Sequence, residues 1–274
     1  LLYAIDCSNK KRTEIIKKKC GYNPAFTPGQ AILHGIKYEP IATEIYEGRN
    51  NLKIMEFGCL PHQHIPFFGA SPDGIVSYDS KNRNYVGRML EIKCPKSRTI
   101  TGIIPDSYYA QIQGQLEVCD LEYCDFLECS IKEYSDKDAF FKDSPEDKVS
   151  TYQQANGEEK GLIIELYDTK EKKNNYIYCE TKFNSREEFD DWEDTEIDKI
   201  LEHEEMEYLG TTCWYLKQYS CVLVDRNRKW FNKRYIKIKE FWDDVLKTRD
   251  SGIDYNQKEK KYTAYVPEEL NFIN

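Results

Sequence analysis

Leu90-Glu91-Ile92-Lys93-Cys94-Pro95-Lys96 decides the reading of this chain. Glu91 and Lys93 stand two apart. On a β-strand successive side chains alternate between faces, so these two share a face while Leu90, Ile92 and Cys94 turn the other way into a core. Upstream lies Ser71-Pro72-Asp73-Gly74. Two strand-like runs, 67–77 and 88–94, flank the polar, turn-rich Asp79-Ser80-Lys81-Asn82-Arg83-Asn84, which predicts a hairpin. Its geometry brings Asp73 beside Glu91. Two carboxylates next to a lysine can hold a divalent cation and orient a water, which is equipment for cutting a phosphodiester.

The bulk numbers fit a globular enzyme. The 274 residues are 40% hydrophobic, enough for a core, and no run nears the roughly 20 apolar residues of a membrane helix. The ten cysteines sit largely in apolar or strand-like runs, where a reduced thiol acts as a small hydrophobe. A reducing compartment follows. Cys119, Cys124 and Cys129 lack the tight pairing of a zinc site, and loop residues His62-Gln63-His64 read as plain loop histidines. Net charge is -9, but segment 186–207 holds 12 acids against 2 bases, so the rest of the chain is close to neutral. Segment 226–239 holds seven bases and no acid, and Lys10-Lys11-Arg12 with Lys17-Lys18-Lys19 makes a second basic cluster. Local surfaces of this kind, not the total, govern contact with phosphates.

Ser8 is placed to cap a helix reaching Cys20, with Gly21 as its stop. Thr27-Pro28 opens a second helix over about 29–47, bent at Pro40, which lacks the N–H for a helical bond. Strands are expected over about 53–60, 67–77 and 88–94, then a helix from Ser107 to about Cys119. In that helix Tyr109, Ile112, Leu116 and Cys119 form the buried stripe, while Tyr108, Gln111 and Gln115 share a polar face. Further strands cover 125–134, 162–170, 176–180 and 213–224. Segment 135–160 reads as a loop or insertion. Ser185 and Glu188 form a capping box, and a last helix spans 230–246, ending near Asp250-Ser251-Gly252. The expected architecture is one α/β domain, a mixed central sheet flanked by helices. Leu1-Leu2-Tyr3-Ala4-Ile5 reads as an element already under way, and the domain is expected to be truncated at its N-terminus.

Glu39 is the odd residue of its helix. It falls in a stripe with Ile32, Gly35, Thr43 and Tyr46 that should point inward. With Asp73 and Glu91 it would put three negative charges in one cleft, a cluster that repels itself unless cations neutralise it. Magnesium suits such oxygen donors, and the Ile92 carbonyl offers one more. Lys93 would steady charge building on a phosphate.

The order of these pieces resembles a known family. Gly69-Ala70-Ser71-Pro72-Asp73-Gly74, Leu90-Glu91-Ile92-Lys93-Cys94-Pro95, Tyr108-Tyr109-Ala110-Gln111-Ile112-Gln113-Gly114-Gln115-Leu116 and His34-Gly35-Ile36-Lys37-Tyr38-Glu39-Pro40-Ile41-Ala42 are similar to the YqaJ-like viral recombinases. These are grouped with λ exonuclease in the PD-(D/E)XK nuclease superfamily. The resemblance spans about 21–131, and the tail from Cys213 looks like versions carried by large DNA viruses. It implies a restriction-endonuclease-like core over 22–134 and a helical, basic C-terminal elaboration over 185–274. Asp73, Glu91 and the Ile92 carbonyl would ligate magnesium, with manganese as a substitute, and Glu39 would complete the site. Lys93 and Gln111 would position the attacking water. Lys96, Arg98 and Tyr108 would touch DNA near the cut. The resemblance also implies a 5′-phosphate grip ahead of the first helix, a stretch this sequence does not include.

The expected function is a metal-dependent 5′-3′ exonuclease on duplex DNA in viral recombination, replication or repair. A strand-annealing protein and further copies of the chain are expected partners, and the host cytoplasm or viral factory is the expected location. Two alternatives use the same residues: a nuclease-fold scaffold that binds nucleic acid without cutting, and an endonuclease or ribonuclease.

Overall fold

The computed structural model describes residues 5, 7–22 and 28–251. Thr27 and Gly252, named above as helix signals, lie outside them, as do Leu1–Ala4. Among the described residues six α-helices and nine strands follow in the order α1 (Asn9–Lys19), α2 (Gln30–Asn50), β1 (Ile54–Met55), β2 (Leu60–Pro61), β3 (Gly69–Ala70), β4 (Gly74–Val76), β5 (Met89–Lys93), α3 (Asp106–Cys119), β6 (Tyr123–Glu133), α4 (Lys137–Lys142), β7 (Lys160–Asp168), β8 (Lys173–Tyr178), α5 (Arg186–Leu201), β9 (Met206–Asp225) and α6 (Arg228–Ser251). Seven strands form one sheet in the order β1-β4-β5-β6-β9-β7-β8, and β2 pairs with β3 apart from it. The β5–β6 pair is parallel and the others are antiparallel, so the sheet is mixed, as expected.

The alternation in the decisive stretch has the predicted consequence. Leu90, Ile92 and Cys94 lie in the main core with Tyr38, Ile41, Ala42, Ile45 and Tyr46 of α2. On the opposite face Met89 joins Ile112 and Leu116 of α3, with Phe126 and Val224. One helix therefore covers each face of β5, which is buried on both sides. Truncating a fully buried Leu90 or Ile92 to alanine would cost about 2–5 kcal/mol.

The strands before β5 are shorter than the sequence suggests. Pro61, Pro66 and Pro72 cannot donate to a ladder, and the chain breaks into β1 to β4 instead of two long strands. Conversely β9 runs for 20 residues, because its first half pairs with β7 and its second half with β6. The acidic residues before Cys213 hide that extension from a pattern reading. α2 contains Pro40 yet continues to Asn50. Segment 135–160 is more than a bare loop: α4 lies within it, and Ser150, Thr151 and Gln154 are buried. Gln154 donates to the Leu216 and Glu159 carbonyls at 2.9 and 2.8 Å, fastening it to the sheet.

The caps behave as read. Ser8 Oγ accepts from the Lys11 N–H, and Ser185 Oγ accepts from the Glu188 N–H at 3.1 Å. Glu188 reaches back to the Asn184 N–H, one residue earlier than a capping box requires.

Candidate active site

The hairpin register explains why two distant acids meet. Gly74 pairs with Leu90 and Ile75 with Met89 in the antiparallel β4–β5 ladder, so the next step of the register sets Asp73 opposite Glu91. Asp73 Oδ2 accepts the Ile92 N–H at 2.7 Å, which continues the strand pairing with a side chain in place of backbone. Gly74 has its own reason. A Cβ there would meet Ile54 Cγ2 of the neighbouring β1 at 2.2 Å, so only glycine lets the three strands close beside the acid.

Glu91 is fully buried, and both its oxygens are engaged. Lys93 Nζ bonds Oε1, and Gln115 Nε2 donates to Oε2 at 2.7 Å. Gln115 also donates to the Ser71 carbonyl at 3.1 Å, which ties α3 to the corner between β3 and β4. Lys93 Nζ makes a second bond, to the Ile92 carbonyl at 3.0 Å. The ammonium thus sits between Glu91 Oε1 and the Ile92 oxygen, two of the groups expected to face a metal ion.

Electrostatics make this a strained assembly. Burial pushes the Glu91 carboxyl up, and the Asp73 charge adds to it, against the pull of Lys93 and Gln115. Burial likewise raises Asp73, opposed by Lys93 and the Ile92 N–H. Burial works to lower the Lys93 amine, but Glu91 and Asp73 together hold it above its usual value. One lysine does not fully compensate two buried carboxylates. Oxygen donors that share a cation already, and still titrate high, fit a hard divalent ion such as magnesium. Asp73, Glu91 and the Ile92 carbonyl are the residues that would hold it.

Glu39 takes a separate place. It arrives on α2, the layer that covers the Leu90–Ile92 face, whereas Gln115 and α3 lie on the Glu91 face. Loss of water around its carboxyl, then the charges of Asp73 and Glu91, push Glu39 up to about 6, with Lys93 pulling the other way. It feels the site, but among the described residues no three Asp, Glu, His or Cys side chains group into a ready metal cluster. Glu39 thus lies within electrostatic reach of Asp73, Glu91 and Lys93, the groups it was expected to join. Glu39 is fixed by its neighbours: Lys37 bonds Glu133, Glu165 and Thr212 at 3.0, 2.7 and 3.0 Å, and Tyr38 donates to Glu133 at 2.7 Å.

Gln111 does not reach Glu91. It is exposed on α3, and Gln115, one turn later on the same polar face, makes the contact. The third turn of the helix, not the second, presses on the β3–β4 corner. That shared face was the available signal; the depth of each turn was not readable. Arg98 is likewise not a free base: it pairs with Glu128, which is fully buried and lies opposite Lys93 in the β5–β6 register. Its guanidinium also sits 5.7 Å from the Tyr108 ring centre, and Lys93 Nζ lies 5.3 Å from the same ring. Tyr108 thus has two cations close to its ring. Lys96 is exposed and bonds Gln30 at 3.2 Å. His62 Nδ1 accepts the His64 and Ile65 N–H groups at 2.9 and 3.2 Å, a turn-closing role.

An acid from a turn, an acid and lysine from the following strand, and a glutamine from the next helix, all at one end of a mixed sheet, define a nuclease-type α/β core. Residues 3–122 match the model of the YqaJ-like viral recombinase domain, so that stretch of the chain is similar to that family. It is 35% identical over 278 residues to an uncharacterised protein of Acanthamoeba polyphaga mimivirus, covering 93% of this chain and 50% of that protein. The chain therefore spans about half the length of that relative. The fold is similar to that of an alkaline exonuclease from Laribacter hongkongensis, with a TM-score of 0.51, 17% identity, and 91% of this chain and 87% of that chain covered. A second structure of that enzyme, matched equally, was solved in complex with dAMP.

Proposed function

We propose that this chain is a magnesium-dependent deoxyribonuclease, a 5′-3′ exonuclease acting on duplex DNA in viral recombination, replication or repair. The observation that carries the reading is Lys93 Nζ bonded to Glu91 and the Ile92 carbonyl, with Asp73 directly across the strand pair. Manganese would substitute for magnesium. A virus-encoded protein acting inside the host cell, in the cytoplasm or a viral factory, fits the mimivirus relative; no described helix is long and apolar enough to cross a membrane. A strand-annealing partner and self-association follow from the family alone.

The bound ion would supply Lewis acidity toward the scissile phosphate. The chain's own residues do the rest. Asp73 and Glu91 set the negative charge that draws the ion, and Gln115 keeps the Glu91 carboxylate from rotating. Asp73, Glu91 and the Ile92 carbonyl would hold the ion, and the Lys93 ammonium lies beside them against the Tyr108 ring. There it can orient a water and stabilise charge developing on the phosphate oxygens. Tyr108 flanks that ammonium and offers an aromatic face to a base or sugar.

Linear duplex DNA incubated with the protein and magnesium tests the reading. Mononucleotides should appear from 5′ ends, and chelator should stop the reaction. Binding that persists in chelator with no cleavage in magnesium or manganese would instead identify a non-cutting scaffold. Cleavage of circular DNA or of RNA in preference to linear duplex would identify one of the other nuclease classes.

A further inference from the structure

The basic run 226–239 divides into two populations in the structure. Arg226 is built into the fold, bonded to Glu117 and Asp120 at 2.9 and 2.6 Å. Arg228 pairs with Glu122, and Arg234 lies over the Trp230 ring at 4.1 Å. Lys229, Lys233 and Lys237 are different. All three are exposed on α6, and none makes an ion pair or hydrogen bond among the described residues. In a molecule where most arginines are committed to acids, three uncommitted lysines at spacing i, i+4, i+8 form one stripe along the helix. No acid lies between them in sequence.

We propose that this stripe binds the sugar-phosphate backbone of duplex nucleic acid, outside the carboxylate site, without reading sequence. The helical rise sets Lys229 and Lys237 about 12 Å apart, and phosphates follow one another at about 3.4 Å of axis per strand, so the stripe spans roughly three to four base pairs. Its position relative to the carboxylates is fixed. Gln113 of α3 accepts the Asn227 N–H at 2.6 Å and donates to the Asp225 carbonyl at 2.9 Å, and Tyr109 meets Trp230 edge-on at 5.5 Å. α3 is the helix whose Gln115 holds Glu91. At the other end α1 rests on α6 through Ile16, Phe241 and Val245 and through Arg12–Asp244 at 2.8 Å, adding exposed Lys10 and Lys18. The acidic helix α5 packs on Ile164 and Leu166 of β7, far along the sheet order from β5. The helix face that carries the three lysines is locally positive whatever the whole-chain total.

The inference rests on the nuclease reading only for the choice of polyanion, and its test needs no catalysis. Binding of a short fluorescent duplex is measured in chelator across a salt series for the parent chain and for Lys229→Ala/Lys233→Ala/Lys237→Ala. A second variant, Lys142→Ala/Lys172→Ala/Lys173→Ala, removes three exposed lysines elsewhere. The slope of log Kd against log salt should fall by about 2.7 for the stripe variant, about 0.9 per phosphate contact, and stay at the parent value for the control. Equal slopes for parent and stripe variant, or equal loss in both variants, overturn the proposal. So does a parent that binds phosphatidylserine vesicles but not duplex.

Discussion

Lys37 and Lys93 each face two carboxylates, and the two places behave in opposite ways. At the strut beneath α2, Lys37 joins Glu133 and Glu165. Burial works to raise Glu133, but hydrogen bonds from Tyr38 and Lys37 win and leave it below the usual range. At the candidate site, Lys93 faces Glu91 and Asp73, and both acids end above their usual range. The inventory is the same; the surroundings differ. The Glu133 side chain is 52% exposed, whereas that of Glu91 is 0% exposed. Hydroxyl donors from Tyr38 and Thr212 supplement the strut, while the site offers its acids few donors beyond Lys93 and Gln115. The strut is satisfied and rigid. The site is short of positive charge, a deficit that a cation removes.

That contrast can be broken experimentally. The largest effect belongs to Lys93→Ala and Asp73→Ala, each expected to lower the rate of duplex digestion by several orders of magnitude with the fold kept, as circular dichroism would check. Digestion at the parent rate would remove the site from the reaction. Lys37→Met should instead cost about 1–3 kcal/mol of stability in urea unfolding, since it strands Glu133 and Glu165. Its effect on rate should be secondary, through Glu39.

Metal addition sharpens the comparison further. Magnesium should raise the melting temperature of the parent, by about 2.7 kcal/mol of stabilisation at a hundredfold excess over Kd. Asp73→Asn should raise it in chelator and erase most of the magnesium response, because the amide keeps the Ile92 contact without the charge. Lys37→Met should keep the full response. If the strut variant lost it and the site variant did not, the assignment of roles would be reversed.

The smallest effect is a pH dependence at Lys160, a third buried lysine, which donates to the Phe140 carbonyl at 2.6 Å. Burial pushes its amine down to about 8, with Asp143 pulling the other way. An amine lowered in the folded state holds fewer protons there than in the unfolded chain, whose lysine titrates near about 10.4. Its contribution to stability therefore rises with pH between about 8 and that value. The melting temperature of the parent relative to Lys160→Met should increase over that window and be flat below it.

Much of this was legible in the sequence, for identifiable reasons. Alternation around Leu90–Cys94 fixed which face Glu91 takes, because a period of two survives in any strand. The turn between the two runs fixed the pairing of Asp73 with Glu91, since an antiparallel hairpin leaves little choice of register. The helix capped by Ser8 and that capped by Ser185 were local and readable. Gln115 was not separated from Gln111, because both satisfy the same helical face and only the docking of α3 on the β3–β4 corner tells them apart. The pairing of Arg98 with Glu128 was not readable, because Glu128 lies 30 residues away, on a strand whose register no local pattern specifies. The full length of β9 stayed hidden as well: Glu207 at its start is tolerated by a strand that is largely exposed there.

The twenty-residue strand β9 also governs how this chain could be divided. It hydrogen-bonds to β6 along one stretch and to β7 along the other, so the strands of the candidate site and the β7–β8 hairpin share a single piece of backbone as their seam. Two fragments separated within it would each lack half a seam and would not reassemble into a continuous sheet. A working split, for fragment complementation or a circular permutant, belongs at the exposed β7–β8 turn around Glu171 and Lys172, where no ladder is cut.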